Sequence, residues 1–294
     1  MIASLCIWQA PSRRCFCSSL LALLLVSGIS LPGAVSAATV VKVWGAPAAA
    51  LHALRNAQPG IVWLGASTEA QAAQPQLQVA WQQDAYQQAL ATGSRAPILL
   101  LNHQRLPASR LRNQDAALIW GPPLALQVQL TRRLMPLAKR IGVLYRATSP
   151  AEMTALSATP AASGVQLVPL PVEAPLTARA LAEAADLVDV FIASNDDALF
   201  NRDSAKLILL TAYHHKRPVI GPTPAFVSAG AVATEAVPKA ALILAIVARI
   251  EHWQSSGNLG DDHLINHFAP VFNAQVARSL NLVIPADLRR EVQP

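Results

Sequence analysis

The sequence predicts an α/β protein of doubly wound architecture arranged as two lobes. Three observations carry that prediction. Short apolar runs alternate with longer helical stretches along most of the chain, the pattern of strand–helix–strand units. The apolar runs are mostly continuous and lack clean in–out alternation, as expected of parallel strands covered on both faces. Eight or more such strands within about 250 residues also fit two lobes better than one sheet. Composition agrees. Of the 294 residues, 53% are hydrophobic and 14% charged, which supplies one large or two medium cores and excludes a disordered chain.

The first element is a leader. Arg13 and Arg14 precede the apolar run SSLLALLLVSGISL (Ser18–Leu31), which gives way to small residues around Ala37. This is the three-part pattern of a secretory signal peptide, expected over residues 1–37, with an uncleaved anchor as the alternative. Its apolar core is shorter than the roughly 20 residues that a membrane span requires. SRRCF (Ser12–Phe16) also resembles part of a twin-arginine export signal. Cys6, Cys15 and Cys17 all lie in the leader, so the exported chain is expected to hold no thiol, disulfide or cysteine metal ligand. Loss of the two leader arginines lowers the formal charge from +6 to +4. The remaining arginines are scattered without interleaved aromatic residues, which argues against nucleic acid as a partner. A periplasmic location is expected.

The strand candidates follow in order. They are TVVKVW (Thr39–Trp44), GIVWLG (Gly60–Gly65), APILLLN (Ala96–Asn102), RIGVLYR (Arg140–Arg146), VQLVPLPV (Val165–Val172), VDVFIAS (Val188–Ser194), PVIG (Pro218–Gly221) and AVAT (Ala231–Thr234). LALQVQLTRRLMPLAKR, ARALAEAAD and RDSAKLILLTAYHHK read as helices between them. PKAALILAIVARIEHW (Pro238–Trp253) is apolar on nearly every face until Arg249, so it is expected to be buried on more than one side. QSSGNLGDD (Gln254–Asp262) reads as a flexible loop, and PAAALHALRNAQPG and EAQAAQPQLQ are Ala- and Gln-rich but too short to be low-complexity segments. A strand-like segment stops abruptly at WGPP (Trp120–Pro123). That break divides an N-terminal lobe, 38–122 completed by 236–294, from a C-terminal lobe, 123–235.

Several chemistries lack their motifs. The sequence has no phosphate-cradling glycine loop, no G-x-G-x-x-G after a strand, no H-E-x-x-H and no G-x-S-x-G. In DDHLINHF (Asp261–Phe268), Asp261, His263 and His267 form the best metal candidate, although the segment reads as a strand that would spread the histidines by about 13 Å. His214 and His215 sit where basic groups complement a helix C-terminus. The strand ends are richer. Ligands of open α/β sheets sit beyond the carboxyl ends of the strands. Asn195, Asp196 and Asp197 follow VFIAS, Gly221 and Thr223 follow PVI, Asn102 ends ILLLN, and Trp44 ends VVKVW. If the two halves face each other, these loops converge on one crevice offering amide, hydroxyl, carboxylate and indole groups, suited to a small polar or zwitterionic ligand. Asp196 and Asp197 divide between capping the next helix and facing that crevice. No partner completes an acid/base pair for hydrolysis, so no enzyme activity and no cofactor are expected.

Four stretches in order carry a family resemblance. They are LTRRLMPLAKRIGVLYRATSP, VDVFIASNDDALF, KRPVIGPTPAFVSAGAVAT and VFNAQVARSLNLVIPADL. Over about Asn113 to Val292 the chain resembles the substrate-binding proteins of an ABC-transporter family, which have the type I periplasmic-binding-protein fold. The resemblance implies two Rossmann-like lobes with parallel sheets, joined by a hinge and closing on a small organic solute, often an amino acid or related carboxylate. It aligns Asp196 with the family's Asp and Asp197 with its Asn, whereas Asn195 replaces a Thr; Gly221 and Pro222 fall where small or acidic residues are common. The N-terminal lobe reads as shortened and divergent. The implied role is the periplasmic binding component of an importer, a monomer delivering solute to an inner-membrane ABC permease. Asn195, Asp196 and Gly221 would present from one lobe, and Trp44, Asn102 and Ser67 from the other. An exported sensor or protein-interaction module of the same fold is the alternative, followed by a metal-dependent enzyme.

Overall fold

Continuous apolar runs become the centres of two sheets. The structure, a computed structural model, describes residues 38–65, 74–104, 110–146, 154, 156, 164–173, 176–196, 199–200 and 202–291. β1 (Val40–Trp44), α1 (Ala48–Ala57), β2 (Val62–Leu64), β3 (Leu77–Trp81), α2 (Gln83–Ala91), β4 (Ile98–Asn102) and β5 (Ala116–Ile119) build most of the first lobe. The chain crosses over at Trp120–Pro123. It then lays down α3 (Leu124–Leu134), β6 (Arg140–Arg146), β7 (Gln166–Val172), α4 (Ala178–Leu187), β8 (Val190–Ala193), α5 (Arg202–His214), β9 (Val219–Ile220), α6 (Pro224–Ala229) and β10 (Ala233–Ala236). It returns for α7 (Lys239–Ser256) and β11 (His263–Leu264), then crosses a last time to β12 (Ala269–Phe272), α8 (Ala274–Ser279) and α9 (Ala286–Glu291).

The first sheet has the order β11-β5-β4-β3-β1-β2 and the second β12-β10-β9-β8-β6-β7, six strands each. Every pairing is parallel except β10 with β12. The few residues available before the first crossing are made up by α7 and β11, which arrive from far downstream. The expected completion of the N-terminal lobe by 236–294 therefore divides. α7 and β11 join the first sheet, while β12 pairs with β10 and takes the closing helices to the second.

Both faces of each sheet are covered, which explains why the strands read as unbroken apolar runs. In the first sheet, Val41, Val79, Leu99 and Leu101 pack with Leu54 of α1 and with Ile246 and Ile250 of α7. The alternate residues Ile98, Leu100 and Ala117 pack with Tyr86 of α2. In the second sheet, Leu144 and Phe191 meet Leu181, Ile208 and Phe226, whereas Val143, Ile192 and Ile220 meet Val128 and Leu134 of α3 and Leu288 of α9. Each fully buried side chain of this kind contributes about 1.5–3 kcal/mol, so the doubly covered strands are the main source of stability.

α7 and β3 differ from the sequence reading and β7 agrees with it, each for a plain cause. α7 buries one stripe, Leu242, Ile243, Ile246, Val247 and Ile250, while Leu244 is exposed. Its other faces look apolar because they are rich in alanine, which is small enough to be left in water at little loss. β3 emerges from the Gln-rich stretch because Gln78 is buried with a partner: its Oε1 accepts from Trp44 Nε1 at 2.9 Å. β7 holds Pro169 and Pro171, which an outermost strand tolerates because half its amides have no ladder to join.

A polar latch holds the lower edge of the first sheet. Asp115 accepts from Tyr86 Oη at 2.8 Å, from the Ile98 amide at 2.9 Å, and from Arg112 through Nε at 2.8 Å and Nη2 at 2.9 Å. Arg112 also donates to the carbonyls of Ser94 and Ala96. Burial, then the bond to Asp115, pushes the Tyr86 hydroxyl up to about 12, so it stays a donor at physiological pH. Asp115→Ala would strand a guanidinium, a phenol and an amide at once, and should lower stability by about 3 kcal/mol in urea unfolding. Tyr86→Phe should lose about 1 kcal/mol.

Candidate functional site

The carboxyl ends of the two sheets meet around the first crossing. β4 runs into His103 and Gln104, β5 into Trp120–Pro123, and β8 into Ser194–Asp196. Between them lies a cavity of about 320 Å³, with Ile119, Leu124, Val143, Ile192 and Leu264 as its main apolar walls. Among the described residues, no Asp, Glu, Lys or Arg lines it. A second, outer groove of about 710 Å³ lies over Phe200, Lys206, Thr223 and Phe226 and reaches Gln82 and His103 of the first lobe. His103 borders both spaces.

A backbone bond extends the β4–β5 pairing to the crossing, and Asn195 then joins the lobes. The Gly121 amide donates to His103 O at 3.2 Å. A Cβ at Gly121 would drive into that same oxygen and stand 2.9 Å from Asn195 Nδ2, so only glycine fits. Asn195 is held from two sides. Its Nδ2 donates to Pro122 O at 2.9 Å, and its own carbonyl accepts from Gln104 Nε2 of the first lobe. Gln127 of α3 ties the second lobe beneath the cavity. It is 2% exposed, donates to Gly221 O at 3.0 Å and Thr234 Oγ1 at 3.2 Å, and accepts from the Glu235 amide at 3.3 Å.

The polar atoms of the wall are short of partners. His103 is 6% exposed and its ring lies 3.8 Å from that of Trp120, tilted by 31°. Burial pushes its imidazole down to about 4, so it is neutral at physiological pH. His103 Nδ1, Trp120 Nε1 and Ser194 Oγ are buried without a hydrogen-bond partner among the described residues. A buried polar group left in that state costs about 1–3 kcal/mol. His103 and Ser194 both line the inner cavity.

The strand-end residues predicted from sequence fare differently. Asn195 lines the inner cavity, and Thr223 lines the outer groove while its Oγ1 caps α6 by accepting from the Phe226 amide at 3.3 Å. Asp196 is turned to the neighbouring strand. Its carboxylate, 3% exposed, pairs with Arg146 through Nε at 2.5 Å and Nη2 at 2.9 Å, and its carbonyl accepts from the Leu199 and Phe200 amides. Gly221 is a packing glycine, since a Cβ would meet that of Phe226 at 2.8 Å. Asn102 shapes the turn that delivers His103, donating to Gln104 O at 2.9 Å. Trp44 lies on a flank of the first sheet, leaning back toward Gln78 with Lys42 Nζ 4.1 Å over its ring. Ser67 and Asp197 lie outside the described residues. In the metal candidate, His263 pairs with Leu118 in β11, and Asp262 accepts from the Ala117 amide at 2.8 Å. Among the described residues, no group of three or more His, Cys, Asp or Glu is placed to hold a metal ion.

Sequence reasoning missed Gln127, the packing of Gly121 and the role of Arg146. A glutamine on the apolar stripe of α3 and a glycine before two prolines were the available signals. Nothing local marks Arg146, which meets Asp196 from 50 positions away.

Two titrations oppose each other in this region. Burial, then Glu291 acting through space against a smaller pull from Arg133, pushes Glu235 up to about 7. Its contribution to stability is full below the unfolded value near 4.5 and lost as pH rises through about 7. His103 has the opposite sign: its contribution is full above 6.5 and lost as pH falls through about 4. His103→Gln should therefore gain stability relative to the wild type as pH falls from 6.5 to 4, and Glu235→Gln as pH rises from 4.5 to 7. Urea midpoints across that range measure both. Gly121→Ala should lose about 2 kcal/mol by overpacking at any pH.

Solved structures share this arrangement. A domain from Streptococcus pneumonia, solved in complex with L-Trp, superposes with a TM-score of 0.60 at 17% identity, over 86% of this chain and 98% of that one. A conserved domain protein from Vibrio cholerae gives 0.61 at 19% identity over 86% and 98%. A substrate binding protein with adhesive properties from Clostridium difficile, in its ligand-free, open form, gives 0.63 at 16% identity over 85% and 96%. No protein-family model matches the sequence, and no curated protein matches it. At these identities the likeness is one of fold, and the fold is the type I periplasmic-binding-protein fold: two α/β lobes with largely parallel sheets and three chain crossings.

Proposed function

We propose that the chain is an exported solute-binding protein of an ABC-type importer, taking a small organic solute into the cavity between its lobes. One observation carries the reading: Ser194 and His103 line a cavity of about 320 Å³, and their Oγ and Nδ1 are buried without a hydrogen-bond partner among the described residues. A solute that hydrogen-bonds to them relieves a cost the empty site bears. The position, at the carboxyl ends of facing strands, is where open α/β sheets bind ligands. The volume lies at the low end of the range for small-molecule sites, about 300–1,000 Å³.

Hinge closure supplies the mechanism. The Gln104–Asn195 hydrogen bond joins the lobes and forms only when they are together. A solute touching both walls binds that arrangement better than a separated one and shifts the population toward it. Export to the periplasm, action as a monomer and delivery to an inner-membrane permease belong to the same proposal, supported by the leader pattern and by the solute-binding proteins that share the fold. The role proposed is binding without catalysis.

Thermal-shift measurements on the exported chain, against amino acids, organic acids, nucleosides and sugars, test the reading. One class should raise the melting temperature, with a ligand at 100 times its Kd adding about 2.7 kcal/mol. Ser194→Ala should then weaken binding about tenfold while leaving the unliganded stability nearly unchanged. A flat response across the panel would overturn the proposal.

A further inference from the structure

We infer that the solute carries no ammonium group, because Arg146 already occupies the carboxylate that would receive one. The inference rests on the solute-binding reading and narrows it. Asp196 follows directly on Ser194 and Asn195, which line the cavity, and it is the acid closest in sequence to the wall. Both of its oxygens are engaged by Arg146, the last residue of the neighbouring strand β6, in a bidentate pair. An ammonium brought to that place would meet a carboxylate already neutralised, with a guanidinium beside it. The attraction of the acid would be largely cancelled by like-charge repulsion.

The rest of the wall gives a cation no better welcome. Ile119, Leu124, Val143, Ile192 and Leu264 are apolar, and no charged side chain lines the cavity among the described residues. Stripping water from an ammonium there is strongly unfavourable without a countercharge. What the wall does offer suits an oxygen atom. Among the described residues Ser194 Oγ and His103 Nδ1 have no hydrogen-bond partner, and α3 starts in the wall at Leu124, on Pro123, with no side-chain cap. The positive end of a helix left open in this way favours a carbonyl or carboxylate. The implied class is an apolar-bodied solute with such an oxygen function and no amine.

The test compares each solute that shifts the melting temperature with its amine-bearing or amine-free counterpart, by titration calorimetry. Phenylalanine with 3-phenylpropionate, tryptophan with indole-3-propionate, and leucine with 4-methylpentanoate are measured in every case. In the wild type, the amine-free member of a pair should bind at least tenfold tighter. Arg146→Met removes the guanidinium from Asp196 and should reverse the order, with the amine-bearing member gaining at least tenfold. Because that variant takes the guanidinium from a buried acid and can fail to fold, the double variant Arg146→Met/Asp196→Leu is measured too; it removes both charges and should keep the wild-type order. Equal or tighter binding of the amine-bearing member by the wild type would overturn this inference while leaving solute binding intact. Silence from every compound would end the solute-binding reading and this inference with it.

Discussion

The structure depends on one close approach, that of the Gly121 backbone to His103 and Asn195. At this point the first crossing passes between the ends of β4 and β8, with no room for a single methyl group. Pro122 and Pro123 follow, so the segment is stiff as well as thin. Gly121 donates to His103 O, and Pro122 O accepts from Asn195. Gly121, His103 and Asn195 all line the cavity, so this close approach forms part of its wall. A larger residue here would change the spacing of the lobes before it changed any property of the wall.

The two sheets supply the rigidity that makes such spacing meaningful. Each needs cover on both faces, and the chain meets that need by sending α7 and β11 back to the first lobe and β12, α8 and α9 back to the second. The price of discontinuous lobes is three crossings. Relative movement, which the proposed function requires, must bend all three short segments together. The buried Gln127 network lies beside two of them, joining α3 to Gly221 O, to Thr234 and to the Glu235 amide just before α7.

Much of the fold was legible because parallel strands advertise themselves by composition alone. ILLLN and VFIA are buried at every position and could be placed from sequence without knowing their neighbours. β3 was hidden because its exposure pattern depends on one long-range partner, the indole of Trp44, without which Gln78 argues against a buried strand. The site was less legible than the fold for a related reason. Strand ends could be located, and Asn195 and Thr223 do line the spaces where ligand chemistry was expected. Which way a strand-end side chain turns, however, is decided by partners far away in sequence. Arg146 claims Asp196, Gln78 claims Trp44, and the carbonyl of Gln104 claims Asn102. Gly221 was expected to present to the ligand, and its missing side chain instead makes room for Phe226.

The electrostatic state of the cavity follows from two separate devices that act in the same direction. Asp196 is buried beside the wall, yet its charge is cancelled by a guanidinium within the protein. His103 is in the wall itself, and burial against Trp120 keeps it uncharged. Glu235 shows what happens without such pairing. It is also buried, but Arg133 only weakly offsets the burial, and its carboxyl is pushed up to about 7. The acid that follows the lining residues Ser194 and Asn195 is therefore the compensated one, and Glu235 does not line the cavity. A site built to hold an ammonium would leave its carboxylate open until the ligand arrived, accepting an unpaired buried charge in the empty state. Here the pairing is internal and present from the start, so the cavity is poised for hydrogen bonding and apolar contact, not for charge exchange.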